Sequence, residues 1–280
     1  MNVLVIGGAG FVGSNLISEL LDHGHDVVSI DNYLSGSEHN HHEGVDYIYA
    51  CSSILPDFNY RADVVFHLGE YSRVEQSDVD PWTCLKNTYR TLPSVLEYCA
   101  TRQAKLIYSG SSTKFSEVTN PYILAKKLNT QLVKGICEQY GIDYAITYFY
   151  NVYGSNEIAE GPYATVVAKF LKAKKEGNTV TITGDGQQRR HFTHVNDIVY
   201  ALMTIADEGH GDDYGIGSEE SISILELVEM IGLDCVFTDD KKSNRKDSAL
   251  MTEKTRALGW QSRYRLSDYI EEKLRGFNGY

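Results

Sequence analysis

Candidate acid–base residues are concentrated in the stretch SGSSTKFSEVTNPYILAKK, residues 109–127. It holds a run of small hydroxyl residues, then Tyr122 directly after a proline, and Lys126 four positions later. Side chains four apart on a helix share one face. A phenol is a poor base at neutral pH, and a neighbouring ammonium would favour its phenolate form. Tyr122 and Lys126 could therefore be an acid–base pair, or two ordinary residues on one helical turn.

A second candidate site is the glycine-rich segment VIGGAGFVGS near the N-terminus. Gly7, Gly10 and Gly13 lie between a predicted strand and a predicted helix. In that setting the first glycine permits a tight turn, the second lets backbone N–H groups approach a pyrophosphate, and the third lets helix and strand pack closely. The phosphate would lie at the positive end of the helix. The pattern predicts a dinucleotide site, and the alternative is a glycine-rich turn of any α/β domain.

Asp31 ends the second predicted strand, in VSIDN, at the distance past Gly13 that such a site requires. A carboxylate there would accept hydrogen bonds from the ribose hydroxyls and repel a 2′-phosphate, which favours NAD over NADP. The same position is compatible with a turn cap in the segment DNYLSG.

No metal site is predicted at the histidines of this chain. His39, His41 and His42 are close in sequence, but their spacing fits no ligand geometry of a helix or hairpin, so a solvated loop is expected. His67 ends an apolar strand and is expected to be a core histidine with its ring nitrogens satisfied.

Alternating strands and helices must position these residues. The runs VLVIG, DVVSID, ADVVFHLG, KLIYSGS and YAITYFYN are continuously apolar, as expected for parallel strands buried on both faces. We predict an α/β fold, with a Rossmann-type doubly wound parallel sheet over residues 1–151. Residues 152–280 are predicted to form a smaller C-terminal α/β substrate lobe, with a strand near 213–218 that could return to the main sheet. The segment 81–101 is predicted to be one long helical segment.

Composition and charge narrow the class of protein. The chain has 280 residues, 42% of them hydrophobic, which is ample for a large core. Its formal net charge of −12 argues against nucleic acid or an anionic membrane as the main partner. The N-terminus shows no signal peptide, and the dispersed cysteines indicate free thiols. We expect a soluble cytoplasmic protein. The cysteines are Cys51, Cys84, Cys99, Cys137 and Cys235.

Nine segments together resemble the extended short-chain dehydrogenase/reductase family, in particular its UDP-glucose 4-epimerase-like nucleotide-sugar epimerase/dehydratase branch. The resemblance implies NAD as cofactor and a nucleotide-diphosphate sugar, a UDP-sugar in the first place, as substrate. The segments are GGAGFVGS, DNYLSG, DVVFHLGE, DPWTCLKNTYRT, SGSS, PYILAKK, YFYNVYG, GDGQQRRHFTHVND and LGW.

The resemblance also implies roles for single residues. Tyr122 would be the acid–base group, Lys126 would hold the nicotinamide ribose, and Ser111 would bond the sugar oxygen. Arg190 would clamp the diphosphate, whereas Arg189 is interpreted as a surface charge. The predicted cofactor-binding residues are Gly7, Gly10, Phe11, Val12, Gly13, Asp31, Asn32, Leu68, Asn87, Tyr122 and Lys126. The predicted substrate-binding residues are Ser111, Asn151, Arg190 and Arg245, and no metal is predicted.

Four departures from the family pattern affect what can be carried over. The loop between Phe115 and Pro121, residues 116–120, is short, so the substrate scope is open. Tyr148 replaces an arginine, and the third strand runs into YACSS without the acidic residue that contacts adenine. In HLGE, Glu70 replaces the usual alanine and would lie near the cofactor.

The residues after Ser111 discriminate between reactions. The resembling dehydratases have an Asp-Glu pair there and the decarboxylases a Glu, whereas this chain has Ser112 and Thr113. Hydroxyls cannot act as a second acid and base at neutral pH. We therefore expect a C4 epimerase that works through a 4-keto sugar. The alternatives are a keto-sugar reductase or dehydrogenase, a dehydratase of the same family, and a non-catalytic nucleotide sensor.

The long segments 81–101 and 121–140 carry apolar residues on more than one face. In the resembling family they pair in a four-helix bundle, which implies a homodimer. The alternative is that both segments simply cover the sheet. The residues are Leu85, Leu92, Val95, Leu96, Leu124, Leu128 and Val133.

Overall fold

A computed structural model describes residues 1–115, 119–239 and 249–277 of the chain. Its strands are β1 (Asn2–Ile6), β2 (Asp26–Asp31), β3 (Asp46–Tyr49), β4 (Val64–His67), β5 (Lys105–Ser109), β6 (Tyr144–Phe149), β7 (Val152–Tyr153), β8 (Val180–Thr183), β9 (Arg189–His191), β10 (Thr193–His194), β11 (Gly211–Ile216), β12 (Ser221–Ser223) and β13 (Cys235–Thr238). Its α-helices are α1 (Phe11–Asp22), α2 (Val74–Val79), α3 (Pro81–Thr88), α4 (Leu92–Arg102), α5 (Pro121–Tyr140), α6 (Val166–Glu176), α7 (Val195–Glu208), α8 (Ile224–Ile231), α9 (Glu253–Ala257) and α10 (Leu266–Phe277).

Seven strands of the described chain form one parallel sheet in the order β11–β6–β5–β4–β1–β2–β3. β2 and β3 follow β1 toward one edge of the sheet. The chain then returns to β4 on the other side of β1, and β5, β6 and β11 continue toward the opposite edge. The strand order thus reverses between β1 and β4, which confirms the predicted doubly wound fold. In such sheets ligands bind at the carboxyl ends of the strands beside this reversal.

Helices cover both faces of the sheet. Val3 and Val5 of β1 face a cluster that includes residues of α1 and α7. Leu4 and Ile6 of the same strand face a second cluster that includes residues of α4 and α5. Because successive side chains of a strand point to opposite faces, burial of both faces explains the continuous apolar runs.

A third cluster holds together the smaller part of the chain. Phe170 of α6, Leu227 of α8, and Leu266 and Ile270 of α10 share it. Three two-stranded sheets accompany these helices: β7 with β10, β8 with β13, and β9 with β12. β11 lies at the edge of the central sheet, parallel to β6. In the described ranges, no helix combines the length and the hydropathy that a bilayer span requires.

The prediction of one helical segment over 81–101 is wrong. α3 ends at Thr88 and α4 begins at Leu92. Pro93, in the first turn of α4, has no backbone N–H to donate to the carbonyl four residues earlier, so a continuous helix is disfavoured there.

The apolar residues of these helices divide into two groups. Leu92, Val95, Leu96 and Val133 are buried in the core cluster of the sheet, so these four cover the sheet, as in the alternative interpretation. Leu124 and Leu128 of α5 are 46% and 47% exposed. Leu85 of α3 is half-buried, so Leu124 and Leu128 are the most exposed of the seven residues and the ones available to a partner.

Candidate active site

A cavity of about 490 Å³ lies at the carboxyl ends of the central strands. Arg245 lies outside the described residues, and the structure brings all the other predicted site residues together. The predicted residues in the cavity wall are Gly7, Gly10, Phe11, Val12, Gly13, Asp31, Asn32, Leu68, Asn87, Ser111, Tyr122, Lys126, Asn151 and Arg190.

The glycine turn between β1 and α1 is shaped for close backbone contact. Gly7 has a φ of +89°, and a Cβ atom there would lie 2.6 Å from the backbone of Gly69. A Cβ atom on Gly13 would lie 2.1 Å from the carbonyl oxygen of Gly7. α1 begins directly after Gly10, so its first N–H groups face the turn rather than a preceding helical carbonyl. This cradle suits the pyrophosphate of a dinucleotide.

Asp31 lies at the end of β2, beside this turn. Its carboxylate accepts hydrogen bonds from the backbone N–H groups of Ala9, at 3.0 Å, and Tyr33, at 2.8 Å. Burial raises the pKa of Asp31, and these two N–H donors counteract that effect. Since a carboxylate has about four acceptor positions, Asp31 can cap the turn and still accept from a ribose in the cavity. The geometry of Asp31 is therefore compatible with both interpretations, a turn cap and a contact with the cofactor ribose.

The histidine-rich segment after Asp31 is a solvent-exposed loop at His39 and His41, as expected, and it still makes ordered contacts. The ring of His41 stacks on Tyr47 with centroids 3.7 Å apart, and its Nε2 lies 2.7 Å from the hydroxyl of Tyr33. Nε2 of His42 lies 2.9 Å from the carbonyl oxygen of Ser14. The described residues contain no group of His, Cys, Asp and Glu that could hold a metal ion.

The start of α5 fixes the candidate acid–base group. Asn120 caps the helix by accepting from the N–H of Ile123 at 2.8 Å, and Pro121 occupies the first helical position. This cap places Tyr122 so that its hydroxyl donates to Ser111 Oγ at 3.2 Å. Ser111 Oγ also lies 2.8 Å from Thr113 Oγ1. The three hydroxyl groups thus form one short hydrogen-bonded chain.

Lys126 lies one turn along α5 and is held by two contacts. Its Nζ donates to the carbonyl oxygen of Ser109 at 2.8 Å and lies 2.7 Å from Oε2 of Glu70. An ammonium has three N–H donors. With two of them directed at these partners, the third remains for a ligand in the cavity.

Glu70 is the centre of a buried polar network. Its side chain is 1% exposed. Oε2 accepts from the hydroxyl of Tyr108 and Oε1 from the amide of Asn129, both at 2.9 Å. Burial and then the charge of Glu70 raise the pKa of Tyr108 well above its ordinary value. Glu70, which departs from the family pattern in the segment HLGE, therefore forms an ion pair with the candidate catalytic residue Lys126.

His67 is a core histidine, as expected, but the expectation that its ring nitrogens are hydrogen-bonded is wrong. The residue is fully buried. Neither ring nitrogen has a hydrogen-bond partner among the described residues, although Nε2 lies 3.7 Å from Oε1 of Glu70. Burial lowers the pKa of His67 to about 4, so the ring is neutral at physiological pH.

Arg73 lines the cavity as well, although no sequence pattern predicts a role for it. Its Nε donates to the carbonyl oxygen of Tyr163 at 3.0 Å, and its Nη2 donates to the same oxygen. Tyr163 packs against the cluster that contains Tyr71, Tyr122 and Ile123. One signal could have found it: Arg73 follows the carboxyl end of β4, where the loops of a doubly wound sheet line the ligand crevice.

The predicted substrate residues lie on the side of the cavity after β6. Asn151 has a φ of +31°, and its amide donates to the carbonyl oxygen of His191 at 3.1 Å. Nη1 of Arg190 donates to the carbonyl oxygen of Arg189 at 2.7 Å. The guanidinium of Arg189 forms an ion pair with Glu226 at 3.1 Å and is not part of the cavity wall, as expected for a surface charge.

Tyr148, which replaces an arginine of the resembling pattern, is not part of the cavity wall. Its hydroxyl donates to Asp212 at 2.6 Å and accepts from Nζ of Lys114 at 3.0 Å. The aromatic residue thus joins β6 to the edge strand β11.

Comparison with known proteins identifies similar sequences and structures. The sequence model of the NAD-dependent epimerase/dehydratase family matches residues 3–217. A UDP-N-acetyl-alpha-D-glucosaminuronate decarboxylase of Bacillus cytotoxicus is 30% identical over 81% of this chain and 78% of its own. A dTDP-D-glucose 4,6-dehydratase of Bos taurus is 27% identical over 98% of this chain and 88% of its own. The crystal structure of a Thermotoga maritima UDP-glucose 4-epimerase with UDP-glucose superposes with a TM-score of 0.92, at 26% identity, over 99% of both chains.

Proposed function

The chain belongs to the NAD-dependent epimerase/dehydratase family, as its nine segments predict, and on that premise we propose that it inverts C4 of a nucleotide-diphosphate sugar of the UDP-glucose/UDP-galactose type. The observation that carries this proposal is the contact of the Tyr122 hydroxyl with Ser111 Oγ at 3.2 Å. Lys126 follows one turn later, and the residues after Ser111 offer hydroxyls and no carboxylate. Related proteins include epimerases, decarboxylases and dehydratases, so the choice among these reactions is part of the proposal.

The hydrogen-bonded hydroxyl groups of Tyr122, Ser111 and Thr113 carry out the proton transfer in this proposal. When bound, NAD supplies a hydride acceptor and then a hydride donor at C4 of the sugar. Tyr122 takes the proton of the 4-hydroxyl group while Ser111 bonds the same oxygen and fixes its position. The 4-keto sugar then rotates so that its other face meets the cofactor. Tyr122 returns the proton to the 4-oxygen, which stays bonded to C4, and C4 now has the opposite configuration. The ammonium of Lys126 lies one turn further along α5, on the same helix face as this acid–base group.

The glycine turn and its neighbours hold the cofactor in this account. Gly7, Gly10 and Gly13 receive the pyrophosphate, and Asp31 accepts from the adenosine ribose. Asn32 and Asn87, whose side chains bond each other at 3.0 Å, lie in the wall of the same cavity. The remaining N–H donor of Lys126 serves the nicotinamide ribose.

The second part of the chain, residues 152–280, is proposed to bind the nucleotide sugar. Arg190 and Asn151 lie in the cavity wall, where a guanidinium and an amide can donate to a diphosphate. Arg245 is proposed as a second diphosphate contact.

Decarboxylation or dehydration would need a further acid or base near the sugar. Glu70 is a buried carboxylate of the cavity wall, but Lys126, Tyr108 and Asn129 already occupy its oxygens. Ser112 and Thr113 supply only hydroxyls. This arrangement favours epimerisation over both alternatives.

An activity assay with one tyrosine variant tests the proposal. Purified protein with NAD+ and UDP-glucose should form the C4 epimer without net accumulation of reduced cofactor. Tyr122→Phe should lower turnover by about 10²- to 10⁴-fold while NAD binding and the thermal unfolding temperature stay unchanged, because only the hydroxyl is removed. Tyr140→Phe, on the same helix at a position that is 65% exposed, is the matched control and should retain full activity.

If Tyr122→Phe keeps more than about a tenth of the activity, Tyr122 is not the acid–base group. Stoichiometric accumulation of reduced cofactor would instead support the dehydrogenase alternative.

A further inference from the structure

Arg73 is a cation of the cavity wall whose contacts with the described residues are to backbone carbonyl oxygens. Its Nε and Nη2 share the carbonyl oxygen of Tyr163, and its Nη1 lies 3.5 Å from the carbonyl oxygen of Ser72. Within the described ranges, Arg73 forms no ion pair with any carboxylate. Burial lowers the pKa of Arg73, and the neighbouring Tyr122, Glu157 and Tyr163 counteract that effect. Arg73 is half-buried, and a partly desolvated charge without an opposite charge is still costly, so the position suits an anion.

The other cations of the cavity have different partners. Lys126 is neutralised by Glu70 at 2.7 Å. Arg190 is assigned above to the diphosphate. Glu157, the acidic residue that influences Arg73, is committed elsewhere: it accepts from the N–H of Gly154 at 2.8 Å and from the hydroxyl of Thr165. Among the described cations of the cavity wall, Arg73 therefore remains available to a further anionic group of the ligand.

The surroundings of Arg73 place it at the sugar end of the cavity. It bonds the backbone of Tyr163, and Tyr163 packs against the cluster of Tyr71, Tyr122 and Ile123. The rings of Tyr71 and Tyr163 meet edge to face with centroids 5.8 Å apart. Since Tyr122 is the group proposed to act on the 4-oxygen, the contact with Tyr163 puts Arg73 on the Tyr122 side of the cavity wall.

We propose that Arg73 binds a carboxylate at C6 of the sugar, so that the preferred substrate is a nucleotide-diphosphate hexuronate rather than the neutral hexose. This inference rests on the proposed function and names the substrate class of the same site. C6 is bonded to C5, the direct neighbour of C4, so its carboxylate lies next to the 4-oxygen that Tyr122 serves. A guanidinium suits a carboxylate because both are planar and their hydrogen bonds are charge-assisted.

The experiment measures kcat/KM for UDP-glucuronate and UDP-glucose, with NAD+ present, in four proteins: wild type, Arg73→Gln, Arg73→Lys and Arg189→Gln. Wild type should prefer UDP-glucuronate by about 10- to 100-fold, the range expected for a hydrogen bond between charged groups. Arg73→Gln should lose that preference by losing activity on UDP-glucuronate alone. Arg73→Lys should keep part of it, and Arg189→Gln, which removes a charge outside the cavity, should behave as wild type.

Two results would overturn the inference. A wild-type preference for UDP-glucose would exclude a carboxylate site. Equal losses on both substrates in Arg73→Gln would show that Arg73 binds the diphosphate or only fastens the loop of Tyr163. If Arg73→Gln does not fold, the wild-type preference and Arg73→Lys still decide between these outcomes.

Calorimetric binding separates this inference from the proposed function. UDP-glucuronate and UDP-glucose are titrated into the NAD-loaded protein in the Tyr122→Phe background, where no turnover interferes. Tighter binding of UDP-glucuronate that disappears with Arg73→Gln supports the carboxylate site even if the product assay shows a reaction other than epimerisation. Equal binding of the two sugars contradicts the site even if the epimerase activity is confirmed.

Discussion

At the scale of single residues, the buried pair of Lys126 and Glu70 shapes the catalytic centre. Both side chains are almost fully enclosed, at 6% and 1% exposure. Glu70 fixes the direction of the Lys126 ammonium and offsets its charge, while Tyr108 and Asn129 hold Glu70 in turn. The site thus holds, one helical turn from Tyr122, a cation whose position is fixed by an ion pair within the same cavity wall.

This pair predicts coupled effects on stability. Glu70→Gln and Lys126→Met should each lower the free energy of unfolding by about 3–5 kcal/mol, because each leaves one buried charge without its partner. The double variant removes both charges and should lose clearly less than the sum of the two. Urea unfolding of the four proteins measures the coupling. Losses that add to within about 0.5 kcal/mol would show that the two groups do not interact.

At the scale of secondary structure, the site is assembled from the ends of strands and the starts of helices. The turn after β1 receives the phosphates, β2 ends at Asp31, β5 leads to Ser111, and α5 starts beside Tyr122. Parallel strands bring these ends to one edge of the sheet. Each element therefore delivers one functional group to a common crevice.

The end of β2 predicts the choice of cofactor. NAD should bind at least about tenfold more tightly than NADP, because the Asp31 carboxylate repels a 2′-phosphate. Asp31→Asn should narrow this difference, whereas Asp26→Asn, at the exposed start of the same strand, should leave it unchanged. Fluorescence titrations with both cofactors test this. Equal or tighter binding of NADP to the wild type would contradict the role of Asp31.

The elements that could be predicted from the sequence are those specified by local spacing. The glycine turn, the apolar strands and the Tyr122–Lys126 face of α5 follow from residues within a few positions of one another. Arg73 could not be assigned in this way, because its partner Tyr163 is 90 residues away in the sequence. The break between α3 and α4 was missed although Pro93 marks it. The orphaned ring of His67 depends on packing that no local pattern shows.

At the scale of the whole molecule, α3 and α5 pack together and leave apolar side chains exposed. Trp82 is 70% exposed, and Leu124 and Leu128 are nearly half exposed. We propose that a second copy of the chain covers this surface, which gives the homodimer that the family resemblance implies. Burial of such side chains at a helix–helix interface is favourable in proportion to the apolar area removed from water.

The dimer is tested by charge substitution on α5. Light scattering at micromolar concentration should give the dimer mass for the wild type and the monomer mass for the double variant Leu124→Glu/Leu128→Glu. Val236→Glu, at an exposed apolar position of β13, is the control and should remain dimeric. A monomeric wild type would exclude the dimer. A dimer that survives the double variant would place the interface elsewhere.

The central claim, that one hydride leaves C4 and returns to C4 of the same sugar, is tested most directly with deuterium. UDP-glucose and UDP-glucuronate carrying deuterium at C4 are incubated with the protein and NAD+ in ordinary water, and the better substrate is followed by NMR. The account predicts that the C4 epimer forms with its deuterium retained at C4. Deuterium found at another carbon, or in cofactor released to solution, would contradict epimerisation and indicate a dehydratase or a dehydrogenase instead.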